Sequence, residues 1–369
     1  MADKPLLLNQ LKLMLEQEGT PWLAEENALF MATTEEQQQR LGYVPGPGEP
    51  SLAEREQAAT ANLAAYQAEG MRAVGAPPAA FDWRNAGGRN FITPVRDQGG
   101  CGSCVAFGVT AAVEGTLRVA IGDPVYSVDL SEAHLFYCHA RAQGRRCSNG
   151  WWVPPALDCY KTPGVADDAC YPYRDVDQEC TGLCSDWQNR ALRIAGWKAV
   201  TSITAMKEWL ATRGPLVACY TVYKDFFAYR SGVYRHVSGD AVGGHCVCCV
   251  GYNDAESCWI MKNSWAASFG ESGYFRIAYG QCGIDATMWA VDNFATGVWQ
   301  NNKRIGGLWT IDQDRNAWVF VTGIGWKKVA ADNDNIFFNL LTQLAMAKSG
   351  GRPVNYYELQ GVIREVYVW

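Results

Sequence analysis

Hydrophobic and polar positions divide the chain into three zones. In residues 1–76, apolar residues recur at helical spacing in "LLLNQLKLMLEQEG" and again in "SLAEREQAATANLAAYQAEG", which predicts two helices. Between them, "LGYVPGPGEPS" holds three prolines and three glycines, which forbid a helix and favour an extended segment, solvated or laid in a groove. Pro77 and Pro78 close the zone. Residues 77–292 carry short apolar runs punctuated by glycine. "CGSCVAFGVTAAVEGTLRVAIG" reads as a helix entered from a glycine-rich loop, and "LSEAHLFYCHA" as another with Ser131 at its N-cap. Beyond residue 190 strands dominate: "GPLVACYTV", "HCVCCVGYN", "CWIMKNSW" and "GYFRIAY". A helical half followed by a strand-rich half predicts two packed lobes. Residues 293–369 read as a small α+β unit, with strands in "RIGGLWTID", "NAWVFVTGIGWKKVA" and "VIREVYVW" and an amphipathic helix, "DNIFFNLLTQLAMAKSGG", closed by Gly350. Its tryptophans (Trp299, Trp309, Trp318, Trp326, Trp369) are expected in its core rather than on a binding face. No internal repeat is visible.

Composition narrows the class. With 369 residues, 48% hydrophobic content and 15 Trp, the chain is globular with room for a sizeable core. A net charge of −6 gives no general argument for nucleic acid or for an anionic membrane surface. No unbroken run of about 18 apolar residues suggests a membrane span. The opening "MADKPLLLNQLK" lacks the pattern of a Sec-type leader, so a cytoplasmic location or export by another route is expected, and the compartment stays open. Fourteen cysteines pull the other way, toward an exported protein. Several sit inside apolar runs where cysteine acts as a small hydrophobe, so a mixture of disulfides and buried thiols is expected.

The candidate chemistry lies in "RDQGGCGSCVAFG". Cys101 and Cys104 have metal-clip spacing, but a zinc site needs two further ligands. The "CVCC" run is strand-like, and strand geometry splits it between two faces. A redox dithiol would want a βαβ context that is missing. No metal and no cofactor are therefore expected. A nucleophile needs a base, an orienter for the base and donors for an oxyanion. Of the four histidines, His134, His139 and His236 look ordinary. His245 sits at the mouth of a strand after two glycines, and Asn263 follows at the end of the next strand. Adjacent antiparallel strands would set these two side chains together.

"DWRNAGGRNFITPVRDQGGCGSCVAF", "SNGWWVPPAL", "DDACYPY", "GGHCVCCVGYN" and "KNSWAASFGESGYFRIAYGQCGI" resemble, in order and spacing, the papain-like cysteine peptidases over roughly residues 77–290. The resemblance implies an α+β fold of two lobes, one helical and one like a β-barrel, and hydrolysis of a peptide or protein substrate. It implies Cys104 as nucleophile, held as thiolate by the helix dipole and a nearby imidazolium. His245 would be its partner and acid, Asn263 the orienter, Trp265 a shield for that hydrogen bond, and Gln98 an oxyanion donor. Gly150 would offer its backbone to substrate as an added strand. Trp152, Cys219, Gly243, Gly244, Cys246 and Thr287 would line an uncharged pocket for a hydrophobic or aromatic side chain. Disulfides Cys101–Cys147 and Cys138–Cys180 are implied, with Cys170–Cys184 as a candidate extra pair.

The chain also departs from the family. Val105 replaces a tryptophan, Ala266 a glycine and Phe269 another tryptophan. Cys282 lacks the family's partner and is expected free, and Cys159 buried. Residues 1–76 stand where a propeptide would, without its usual motif. They are expected to lay "LGYVPGPGE" through the cleft as an intramolecular inhibitor. Residues 77–292 form the expected catalytic domain and residues 293–369 an extension that could restrict one end of the cleft. An acyltransferase using the same thioester, or a silent binding protein on this scaffold, are the alternative readings.

Overall fold

The computed structural model describes residues 7–19, 22–69, 77–294, 298–313, 315–331, 334–359 and 362–369. The chain divides into two compact units, Met1–Leu117 with Ser127–Asn293, and Arg118–Tyr126 with Phe294–Trp369.

The helices are α1 (Leu8–Gln17), α2 (Thr34–Gln39), α3 (Leu52–Ala68), α4 (Cys104–Ile121), α5 (Val153–Lys161), α6 (Trp187–Arg190), α7 (Ile203–Thr212) and α8 (Asp334–Ser349). Both α2 and α3 begin with a capping box, Thr33 with Glu36 and Ser51 with Glu54, which satisfies their first amides. The stretch predicted as a helix after Ser131 winds mostly as a π-helix over His134–Ala140. Ser131 Oγ accepts the His134 N–H and donates to the Tyr171 carbonyl, so the cap is also a tie to a loop. Helix α4 has a mean hydropathy of 1.5, enough to cross a membrane by composition, although the sequence shows no unbroken apolar run. It is 83% buried within the protein and is a core helix.

The first unit's sheet contains β1 (Trp22–Ala24), β2 (Ala80–Asp82), β3 (Ile194–Val200), β4 (Leu216–Tyr223), β5 (Tyr229–Tyr234), β6 (Ala241–Asn253), β7 (Cys258–Lys262), β8 (Tyr274–Ala278) and β9 (Met288–Phe294). Their order is β1-β5-β8-β7-β6-β4-β9-β3, with β2 added to β6. Strands β4, β6 and β7 are buried on both faces, which explains their unbroken apolar sequences. An aromatic core of Tyr220, Phe226, Phe227, Tyr229, Tyr234, Trp265, Phe269 and Phe275 fills the space beside them, and Leu11, Leu15 and Trp22 join it from the N-terminal zone. Helix α2 and the short β1 leave no mark in the hydrophobic pattern, and the Thr33–Glu36 capping box is the one sequence trace of α2.

The second unit has six strands: β10 (Val298–Lys303), β11 (Ile305–Thr310), β12 (Ala317–Val321), β13 (Gly325–Val329), β14 (Val354–Leu359) and β15 (Val362–Val368). Their order is β10-β14-β15-β13-β12-β11, with β13 and β15 parallel. Residues 118–126 belong to this unit through Lys328 paired with Asp123 and Arg364 donating to the Ile121 carbonyl. The expectation of core tryptophans fails here. Trp309, Trp326 and Trp369 are exposed and Trp318 is half-buried, because residues 317, 319 and 321 are the ones that face inward on β12. The side chain of Trp299 lies outside the described residues.

Candidate active site

Cys104 opens α4, where unpaired helix amides favour negative charge. Its sulfur lies beside the backbone of Cys246, one residue beyond His245 on β6. His245 is fully buried, and its Nε2 lies 2.8 Å from Asn263 Oδ1. That oxygen also accepts the Ser264 N–H at 2.8 Å, so the imidazole proton resides on Nε2 and Nδ1 is the basic nitrogen. Nδ1 is buried without a hydrogen-bond partner among the described residues. The register of β6 against β7 brings His245 and Asn263 together, since Cys248 opposes Lys262 and the two side chains extend past the end of that ladder. Trp265 lies over the imidazole at 4.7 Å between ring centroids, and Phe227 stacks on the far side of Trp265 at 5.4 Å. Water is thereby kept off the His245–Asn263 bond.

Gln98 is fixed at three points. Its Oε1 accepts from Ser264 Oγ at 2.6 Å, while Nε2 donates to the carbonyls of Cys101 at 2.8 Å and Arg40 at 3.1 Å. Arg40 belongs to the N-terminal zone, and the residues after it cross the cleft as a strap. Within it, Tyr43 bridges in parallel to Trp151 and antiparallel to Gly244. Tyr43 N–H donates to the Gly244 carbonyl at 3.0 Å, Val44 N–H to the Trp151 carbonyl at 3.0 Å, and Trp151 N–H to the Gly42 carbonyl at 2.7 Å. Gly42 and Tyr43 lie close enough to the Cys104 sulfur for their backbones to act on its charge.

The strap thus pairs with the backbone of Trp151, one residue beyond Gly150. Gly150 N–H is engaged with the Arg146 carbonyl, and its backbone sits at φ 59°. Its missing side chain makes room, because a Cβ would lie 2.1 Å from the Gly42 carbonyl oxygen. Gly42 is just as constrained: a Cβ there would come within 1.9 Å of the Gly102 carbonyl oxygen.

Tyr43 projects among the residues expected to line the pocket. Its ring lies against Gly244, and it shares the electrostatic surroundings of Cys219 and Cys246. Trp152 faces Gly46 and carries the Arg145 guanidinium over its ring at 4.4 Å. Gly243 contacts Leu41. At Thr287 the expectation of an uncharged pocket needs correcting for the intact chain. Arg55 on α3 is 3% exposed, and its guanidinium donates to the carbonyls of Cys219 at 3.1 Å and Thr287 at 3.3 Å. The Tyr43 and Trp289 rings lie beside it at 5.4 and 5.3 Å. Sequence reasoning misses Tyr43, Arg55, Trp151 and the Gln98-holding Ser264. Only Tyr43 leaves a signal, as the single aromatic residue in the extended segment.

Burial under the strap sets the electrostatics. It pushes the Cys104 thiol up to about 12 and the His245 imidazole down to about 4, the latter against the opposing pull of Asn263. In the intact chain the pair is neutral at pH 7, not the thiolate–imidazolium that an open cleft would favour. Cys101 is joined to Cys147, Cys138 to Cys180 and Cys170 to Cys184. Cys159 and Cys282 are free and buried. His134 and His139 lie tilted against each other at 4.5 Å between ring centroids, and His236 pairs with the buried Asp225. Among the described residues no cluster could hold a metal ion.

The family model described as papain family cysteine protease matches residues 77–291. Among curated proteins, cathepsin B-like CP3 of Giardia intestinalis is 37% identical over 220 residues, covering 56% of this chain and 72% of that protein. Pro-cathepsin H of Bos taurus is 35% identical over 240 residues, covering 61% and 68%. Among solved structures, procathepsin B S9 from Trypanosoma congolense aligns with a TM-score of 0.62 at 24% identity, over 79% of this chain and 100% of that one. A digestive procathepsin L2 proteinase from Tenebrio molitor larval midgut aligns with a TM-score of 0.60 at 27% identity, over 77% and 88%.

Proposed function

The chain belongs to the papain family of cysteine proteases, and from that premise we propose that it is a latent peptidase working through Cys104 and held inactive by its own strap. With the cleft open, His245 Nδ1 takes the Cys104 proton, and the sulfur attacks the carbonyl carbon of a peptide bond. The oxygen that becomes negative is met by Gln98 Nε2–H and by the Cys104 backbone N–H. His245 then gives its proton to the leaving amine, and a thioester remains on Cys104. Water, deprotonated by His245, attacks the thioester and releases the acid. Asn263 holds the imidazole in the tautomer this sequence needs, and Trp265 keeps that bond dry.

One observation carries the latency: the strap satisfies the groups that catalysis would use. The Arg40 carbonyl takes the Gln98 donor, and Gly42 and Tyr43 lie beside the Cys104 sulfur. That both solved relatives named above are procathepsins agrees with it. The test is Gly42→Ala in the full chain. The added methyl collides with Gly102 and unseats the strap without shortening the protein. An epoxide inhibitor should label Cys104 at least 100-fold faster in the variant than in the unchanged chain. Equal slow labelling in both, with circular dichroism showing both folded, would refute the reading. A product in which an added amine, not water, takes the acyl group would instead identify an acyltransferase.

A further inference from the structure

The strand that carries His245 and its neighbour β4 together carry a pair of groups the proposed reaction does not use. Cys219 on β4 and Cys246 on β6 oppose each other directly in the antiparallel register, and each thiol feels the other's charge. Directly opposed residues in such a pair have Cα atoms about 4.5–5.5 Å apart, inside the range of about 4.4–6.8 Å that a disulfide spans. The register thus sets the two backbones at a spacing a disulfide can span. Yet both are free thiols in a chain that forms three other disulfides.

Their surroundings locate them in the cleft. The Cys246 sulfur is wedged against α4 at Gly108, where a Cβ would come within 2.8 Å of it. Both thiols lie within electrostatic reach of Cys104 and of Tyr43. Arg55 closes the far side through its bond to the Cys219 carbonyl. In the strapped chain neither cysteine is exposed at all.

We propose that Cys219 and Cys246 are a redox-active dithiol in the wall of the substrate pocket, shielded by Tyr43 and closed to a disulfide by a small disulfide such as glutathione disulfide once the strap lifts. Cys219, losing its proton to solvent, attacks one sulfur of glutathione disulfide as thiolate and expels one glutathione thiolate. Cys246, losing its proton to solvent, then attacks the Cys219 sulfur of the mixed disulfide and expels the second. Two protein thiols are oxidised and one glutathione disulfide is reduced to two glutathiones. The new bond draws the two sulfurs together and reshapes the wall on which a substrate side chain rests. Its kinetic signature is a rise in KM for a peptide with an aromatic residue in that pocket, with kcat little changed.

The location in a substrate pocket rests on the peptidase reading, but the disulfide itself does not. Full-length chain and its Tyr43→Ala variant are incubated in glutathione/glutathione disulfide buffer, quenched in acid, alkylated and peptide-mapped. The Cys219–Cys246 linked peptide should form at least tenfold faster in Tyr43→Ala, and not at all when Cys219→Ser is added. Gly42→Ala, which lifts the strap by a different collision, should behave like Tyr43→Ala. Absence of the linked peptide in both strap variants, with the other three disulfides intact, overturns the proposal. So does trapping of both cysteines as separate glutathione adducts, or equal rates with and without Tyr43. Failure of the peptidase reading is seen separately, as Cys104 that no epoxide labels in the same samples.

Discussion

The two lobes that meet at Cys104 and His245 use cysteine in opposite ways. All six disulfide-bonded cysteines lie between residues 101 and 184, where irregular loops and the π-helix carry few ladder bonds. The sheet lobe holds Cys219, Cys246, Cys248, Cys249, Cys258 and Cys282, all free and buried. There, strands buried on both faces and the aromatic core around Phe226 supply the order that crosslinks supply in the helical lobe. Loops that bury little apolar surface gain most from restricting the unfolded chain, whereas a dense core gains from small apolar volume. The same residue type is a staple on one side of the cleft and a filler on the other.

The strongest way to break this contrast is to cut the staples. Replacing Cys101 and Cys147 together by serine opens a loop of 46 residues and should cost about 4 kcal/mol, while Cys170 and Cys184, 14 apart, should cost about 3. Urea unfolding followed by tryptophan fluorescence measures both. Mild reductant should reproduce these losses and leave the sheet lobe's hydrogen-exchange protection unchanged. If the sheet lobe loosens equally, the two lobes are not independent in this respect.

A second test probes the seam. Glu114 and Glu132 of the helical lobe are buried near Lys262 at the end of β7, with Thr93 bridging Lys262 to Glu114. Burial, and then Glu114, push the Glu132 carboxyl up to about 8. The folded chain thus keeps a proton that the unfolded chain releases near the ordinary value of 4.5. Stability from this group should fall as pH rises from about 4.5 to about 8, by up to about 1.4 kcal/mol per pH unit, and level off outside that window. Glu132→Gln should flatten the fall in a series of denaturant titrations from pH 5 to 8. A slope unchanged by the substitution would assign the effect elsewhere.

The smallest effect lies on the sheet side. Ala266 sits at φ 62°, a left-handed conformation that costs a residue with a Cβ about 1 kcal/mol. Ala266→Gly should raise stability by less than about 1 kcal/mol, since glycine also frees the unfolded chain. A melting temperature lowered by the change would mean that the methyl group packs usefully.

Much of the sheet lobe and its site is legible in the order of the amino acids. Period-two and long apolar runs mark β4, β6, β7 and β8, and the glycines and asparagine at the strand ends point to the pairing of His245 with Asn263. Alanine in place of the family's glycine at position 266 stands out as a departure, and its positive φ gives that departure a physical meaning. Other features depend on contacts the sequence does not order. Arg55 reads as a solvated helix charge, but it is buried because two carbonyls, at Cys219 and Thr287, lack ladder partners where β9 leaves β4. Gly150 carries the visible signal for the cleft and gives the strap clearance at Gly42, while the strap itself pairs with Trp151, one residue on, which leaves no signal. Strands β10 and β14 escape notice because "VWQNNK" is mostly polar and "VNYYEL" is short, so neither stands out without its neighbours in the sheet.

The strap and the cleft share one chain, which fixes how the proposed inhibition can be relieved. An inhibitor tethered this way faces its site at an effective concentration set by the tether, commonly millimolar, whatever the protein concentration. Dilution cannot open such an enzyme, and a competing peptide must outbid its own covalent neighbour. A single cut between the strap and β2 changes the order of the reaction. Rebinding then becomes bimolecular, so the fraction inhibited falls as the protein is diluted, and one broken peptide bond turns a fixed state into a concentration-dependent one.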